Sequence, residues 1–473
     1  MVEGVEGGAA AAARLAGGAP LRETLDVTDP GDWLALDAGV REAVWERSRF
    51  LPRWERSAPL PDEPTGLDEA RLALALCHRD GRVRQEALRH SVRHPELLSL
   101  VVIRCADWVR PVREDARQVL GETLDVDTAL AIAPLVLRVG RRDRGAFGVE
   151  VLGRVLRRAS HERLARLFSA HDRPARRFAY RLAVEGRLLR PAELARVAAR
   201  DQDTVVQDLC ATAALASLRD EDVYEDVLSP LLSAANPRTR SAGVTALRRA
   251  GRSEEAWTFL GDRSGVVRAC ARYVVRQQGG DPVPWYRKRC TAPDDPALPP
   301  GAVIGLAECA DRADAGLLRP LLAHPAAGVR ARAVAGLRSL DCAEVKQVWP
   351  LLDDPSPSVV REVVTALLPW SAELPTEELQ ARTGADRERH IRLGAFRLLD
   401  ARGGVVALRA AVGLLQDPDS KLRTWAAQSV RRWRPSPDER RGDPEVGELL
   451  DRSRHLFSDH MMRRLKRVAG VGG

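Results

Sequence analysis

The sequence predicts an all-α fold: a right-handed α-solenoid, or superhelix, of about twelve helix-pair repeats with a period near 31 residues. Three observations lead there. The chain has 473 residues, more than one compact core accommodates, so it is either multidomain or a repeat array. A single phrase recurs along it: a polar turn holding Asp, Asn or His, often with Pro, then an aliphatic residue, then Arg, then a small residue three positions later. Finally, aromatics make up only 4% of the chain against 45% hydrophobic residues, so Ala, Leu and Val must fill the core, which suits close-packed helices better than sheets.

The phrase is clearest in HPAAGVRARAVAGL from His324, DPSPSVVREVVTALL from Asp354, ADRERHIRLGAFRLL from Ala385 and DPDSKLRTWAAQSV from Asp417. Its arginines, Arg330, Arg361, Arg392 and Arg423, stand 31 residues apart. Arg268 lies two periods before Arg330, and the copy between them, near Pro300, keeps the helix without the Arg. Earlier phases fall at Arg240, Gln207, Arg176, Arg144, Arg113 and Arg84, at spacings of 28 to 33 residues. Each period holds two helices of about ten to twelve residues and two tight turns. The second helix starts at the aliphatic–Arg pair. Val360, Val363, Val364, Leu367 and Leu368 then share one helical face. The turn Asp, Ser or Thr caps that helix, and Pro ends the one before. The position three after the motif residue is small in Ala87, Ala116, Ala179, Cys210, Gly243, Ala271, Ala333, Ala395 and Ala426, which lets neighbouring helices approach. One repeat cannot bury its apolar stripe, whereas a stack makes a continuous core.

The motif D-x(2–5)-[VLI]-R-x-x-A, as in DWVRPVREDA at Asp107–Ala116, resembles the HEAT-repeat family in its short, phycobilisome-lyase-type form, over residues 67–434. In that family the Asp and Arg form a hydrogen-bond ladder between adjacent turns. The resemblance implies that role for Asp80 with Arg84, Asp107 with Arg113, Asp262 with Arg268, Asp354 with Arg361, and Asp417 with Arg423.

The ends read differently. Residues 1–20 begin with Glu3 and Glu6 where a signal peptide would be basic, and their Ala run is short and interrupted by Arg14. They are expected to form a flexible N-terminal tail. Residues 21–66 read as a degenerate cap with a Pro-rich linker at 55–66. The stretch 279–300 reads as the longest irregular insertion inside the array. Residues 435–473 read as a linker followed by basic capping helices, with Arg463, Arg464, Lys466 and Arg467 as the candidate anion contact.

No catalytic, cofactor or metal constellation emerges. His90 and His94 are four apart, the helical spacing of a zinc pair, but lack the Glu and a third ligand. Nucleotide-binding and nucleophile-elbow signatures are missing. The seven cysteines are scattered and form no C-x-x-C, which fits free thiols in a reducing cytoplasm. The net charge of +8 comes almost wholly from Arg, with only Lys288, Lys346, Lys421 and Lys466 as lysines. That bias is what a GC-rich, bacterial coding sequence produces. Basic clusters such as Arg141–Arg142–Arg144 and Arg287–Lys288–Arg289 are accompanied by acids, and equivalent columns of the repeat mix their signs. Short HEAT-like arrays also occur in bacterial DNA alkyl-purine glycosylases, and Asp107, Trp108 and Trp425 sit at repeat helices, but that catalytic pattern does not align. The expectation is a cytoplasmic, non-catalytic scaffold with a protein partner, no cofactor and no membrane contact. A nucleic-acid-binding solenoid, related to DNA alkylation repair, is the alternative.

Overall fold

A computed structural model describes residues 2–42, 68–218, 224–435 and 442–471. Among the described residues the secondary structure is helical, with no strand. Twelve helix pairs follow one another between residues 68 and 433, from Glu69–Leu76 with Gly81–Ser91 to Gly404–Gly413 with Ser420–Arg432. The chain divides into two compact units, Met1–Thr239 and Arg240–Gly473.

In the first unit, first helices such as Val126–Val139 and Pro191–Arg200 alternate with second helices such as Arg110–Thr123 and Thr204–Ser217. Turn carboxylates start them. Asp68 accepts from Arg71 N–H, Asp125 from Thr128 N–H and Asp172 from Ala175 N–H, each satisfying a donor that the first turn leaves open. The small column is the point of tightest packing: Ala87, Ala116, Ala179 and Cys210 are all fully buried.

The N-terminal segment differs from expectation. Where a flexible tail is expected at 1–20, Val2–Ala16 is a helix, and it lies along Pro30–Glu42 with Ala11, Ala12, Leu15 and Ala16 buried. Two glycines allow it. A Cβ on Gly8 would stand 1.9 Å from the Ala35 carbonyl oxygen, and one on Gly39 would stand 2.3 Å from the Gly8 carbonyl carbon. Residues that look permissive in a linear reading thus make a backbone-to-backbone crossing. The cap predicted at 21–66 begins with Leu21–Thr24 and Pro30–Glu42, where Trp33 is buried and donates to the Val27 carbonyl at 3.0 Å. Its Pro-rich linker lies outside the described residues.

In the second unit several first helices are shorter than expected. Proline interrupts them. Ala315–Leu318 passes into a 3₁₀ turn at Pro320–Ala323, and Val345–Val348 into one at Trp349–Asp353, because Pro removes the α-helical donor. The expected insertion at 279–300 contains a helix, Pro282–Cys290, capped by Asp281, and its irregular backbone lies at 279–281 and 291–299. At the far end, Pro444–Arg452 and Asp459–Ala469 bury Val446, Leu449, Leu450, Met462, Leu465 and Ala469 in the cluster that holds Leu422, Val430 and Trp433.

Candidate functional site

The motif arginines sit at the start of the second helices and face the turns. Several reach back to a carbonyl six residues earlier. Arg113 donates to Asp107 O at 2.8 Å, Arg268 to Asp262 O at 2.7 Å, Arg330 to His324 O at 2.8 Å and Arg423 to Asp417 O at 2.6 Å. The expected pairs Asp107–Arg113, Asp262–Arg268 and Asp417–Arg423 therefore meet through the backbone oxygen of the Asp.

The carboxylates point the other way along the stack, to the arginine of the preceding repeat. Arg84 donates to both oxygens of Asp107 at 3.0 and 2.8 Å, Arg240 to both of Asp262 at 2.8 Å, and Arg330 to both of Asp354 at 2.7 and 2.9 Å. Arg392 bonds one oxygen of Asp417 and donates its Nε to the Thr383 carbonyl at 3.0 Å. Each of these carboxylates also accepts the N–H two residues on, at Val109, Ser264, Ser356 and Asp419. One Asp thus fixes the turn that leads into its own helix and anchors the neighbouring repeat, with geometry that makes the bonds strong.

Two expected pairs do not form. Asp80 caps Gly81–Ser91 through Arg82 N–H, while the Arg84 side chain turns to Asp107 and to the carbonyls of His78 and Arg79. Asp354 is taken by Arg330, and Arg361 is exposed. The cause is one residue of spacing. Position six after Asp354 is Val360, which is buried, so Arg361 is rotated to the outer face.

Several ladder members carry no Asp–Arg signature. His324 stands in for Asp: its Nδ1 accepts Ala326 N–H at 2.9 Å and its Nε2 lies 3.0 Å from the Asp295 carbonyl, which assigns the proton to Nε2. Gln207 accepts from Asn236 Nδ2 at 2.6 Å, a neutral rung. Where the copy near Pro300 lacks both residues, Glu308 enters from the end of helix Pro300–Ala307 and takes Arg268 and Arg272, the latter at 2.7 Å. Burial disfavours the Glu308 charge, yet these two guanidinium groups outweigh it and hold its carboxyl below the usual value. Asp203 and Asp262 behave alike, with burial overcome by Arg177 and Arg240 respectively. The ladder also runs into the N-terminal cap: buried Asp37 bonds Arg104, which donates to Asp107 at 3.1 Å.

The ladder is also open at the step after Arg144. Arg144, a phase of the 31-residue pattern, lies in the turn with φ 68° rather than in the helix, which starts at Ala146. At this step Arg138, on the first helix, stands 4.0 Å from the turn carboxylate of Asp172, and the two second helices, Ala146–Leu156 and Arg173–Glu185, are tied at their far ends, by Arg157 with Glu185 at 3.4 Å. The other consecutive second helices of this unit, from Gly81–Ser91 to Thr204–Ser217, pack closely; this pair diverges. A groove of about 650 Å³ opens there, with Val149, Gly153, Phe178 and Leu182 in its floor and Glu150, Arg154 and Arg181 at its rim.

The other candidates are placed as follows. Arg463, Arg464 and Arg467 are exposed on Asp459–Ala469, and Lys466 bonds Asp451 at 2.7 Å. His90 and His94 share no helix face, because the helix ends at Ser91; His90 lies 3.3 Å from Glu86 and His94 3.4 Å from Glu96. Burial pushes the thiols of Cys105, Cys210 and Cys290 up to about 12, leaving them protonated and unreactive at neutral pH. Among the described residues no group of three or more His, Cys, Asp or Glu could hold a metal ion, and no helix is long and apolar enough to cross a membrane.

No protein-family model matches the chain, and no curated protein matches it. Solved structures do. A crystal structure of a Kap121p mutant matches at 13% identity and TM-score 0.29, covering 90% of this chain, which spans 53% of that one. A structure of microtubule polymerases with tumor overexpressed gene domain arrays, concerned with tubulin recruitment and assembly, matches at 10% identity and TM-score 0.23, covering 85% of this chain and 98% of that one.

Proposed function

We propose that this chain is a non-catalytic, cytoplasmic protein-interaction scaffold built from short HEAT-type repeats of the phycobilisome-lyase-like form. The observation that carries the reading is the divergence of Ala146–Leu156 from Arg173–Glu185, which leaves an apolar-floored groove between two second helices of the first unit. Ladder groups are engaged in holding turns together; the groove residues are not. Apolar floor with a sparse polar rim is the make-up of a recognition site. Affinity capture from extract of the source cells, with and without nuclease and at two salt concentrations, tests it. Partners retained after nuclease fit the scaffold, and loss of every partner after nuclease rejects it.

The alternative, a nucleic-acid-binding solenoid, rests on the exposed Arg463, Arg464 and Arg467 of the last helix. Titration of a fluorescein-labelled DNA or RNA 20-mer separates the two. Backbone-directed binding would weaken steeply with salt and on reversal of these charges.

A further inference from the structure

We propose that the groove between Ala146–Leu156 and Arg173–Glu185 takes a short peptide segment of a partner protein, in which an acidic side chain adjoins a bulky aliphatic or aromatic one. The inference rests on the scaffold reading and specifies its partner. At about 650 Å³ the groove is large enough for two or three side chains. Its floor has a dent at Gly153, in the interior of a helix where glycine is costly. A Cβ there would meet Phe178 Cζ at 3.6 Å and Arg157 Nη1 at 3.5 Å, ordinary contact distances, so the missing side chain leaves the Phe178 ring open to an incoming apolar group.

The rim supplies the charge preference. Arg157 is paired with Glu185 at 3.4 Å. Arg154 and Arg181 are exposed and make no ion pair with any described residue. Glu150, one turn from Arg154, is likewise exposed. Two free guanidinium groups beside one free carboxylate favour an acidic ligand whose charge sits toward the Arg154–Arg181 side. Nucleic acid fits poorly, because Glu150 and Glu185 would oppose phosphates and the basic position is not continued: the residues equivalent to Arg181 in the flanking repeats are Val149 and Thr212.

Three sets of fluorescein-labelled dodecapeptides test this by anisotropy with the full chain: Phe or Leu flanked by Asp and Glu, the same with Lys, and the acidic set with Ser replacing Phe or Leu. The first set should bind at least tenfold tighter than the others. Gly153→Leu, which suits a helix and fills the dent, should weaken that binding at least tenfold with circular dichroism unchanged. Arg154→Glu combined with Arg181→Glu should abolish the preference for the acidic set. Equal binding of all three sets, or unchanged binding by Gly153→Leu, overturns the proposal. Capture from nuclease-treated extract by wild type and Gly153→Leu tells the two failures apart. Partners kept by both mean that the scaffold stands and the groove is not its site; partners on neither mean that the scaffold reading itself fails.

Discussion

Arg84 is fully buried and directs its donors to two backbone carbonyls and both oxygens of Asp107. Arg361 carries the same sequence signature and faces solvent. Removal of a buried partner leaves polar groups without compensation, whereas removal of an exposed one changes little. Arg84→Ala should therefore cost about 3 kcal/mol, and Arg361→Ala less than about 0.5 kcal/mol, in urea unfolding. Acid should act through the same contacts. The folded carboxyls of Asp203, Asp262 and Glu308 titrate below their unfolded values, so their contribution is complete above about pH 5 and is lost as pH falls through the lowered folded values. Asp262→Asn should lower stability at pH 7 and flatten its decline as pH falls below the ordinary carboxylate range, about pH 4. The arginine phase was legible because a period of 31 is visible in a string; the direction of each carboxylate was not, since it depends on which repeat lies beside the turn. Val360 shows how fine the margin is: one extra residue after Asp354 puts an apolar side chain where the guanidinium would stand.

Helix Val2–Ala16 teaches a different lesson. A run of Gly and Ala has weak local preferences, and sequence alone reads it as unstructured. Its order comes from a surface that only small residues can form, with Gly8 against Ala35 and Gly39 against Gly8. Gly39→Leu should force these backbones apart, costing about 1–3 kcal/mol locally. Hydrogen exchange of residues 7–16 would rise selectively while the amides of Arg110–Thr123 keep their protection. Helix pairs with strong 3.6-residue periodicity were legible. First helices cut by Pro320 and Pro350 were legible only as helical, because the switch to 3₁₀ geometry depends on how the broken donors are satisfied.

Over the whole molecule, an array must close its apolar ends. The pair Pro444–Arg452 and Asp459–Ala469 covers Leu422, Val430 and Trp433. A chain ending at residue 435 should expose that cluster and self-associate, visible as concentration-dependent light scattering that the full chain lacks. The groove was the least legible feature. Arg144 fits the period, yet its turn places it outside the helix, and only the spacing of two second helices reveals the gap. Arg84 and Arg330 each grip their own turn behind them and the next turn's carboxylate ahead, so such a repeat is a hook on one side and an eye on the other. Such links tolerate the gain or loss of a whole unit, since hook still meets eye, but not of half a unit. Where the period is regular, from Arg330 to Arg423, a gene for this chain could lengthen by duplication in steps of 31 codons and keep the register of its joints.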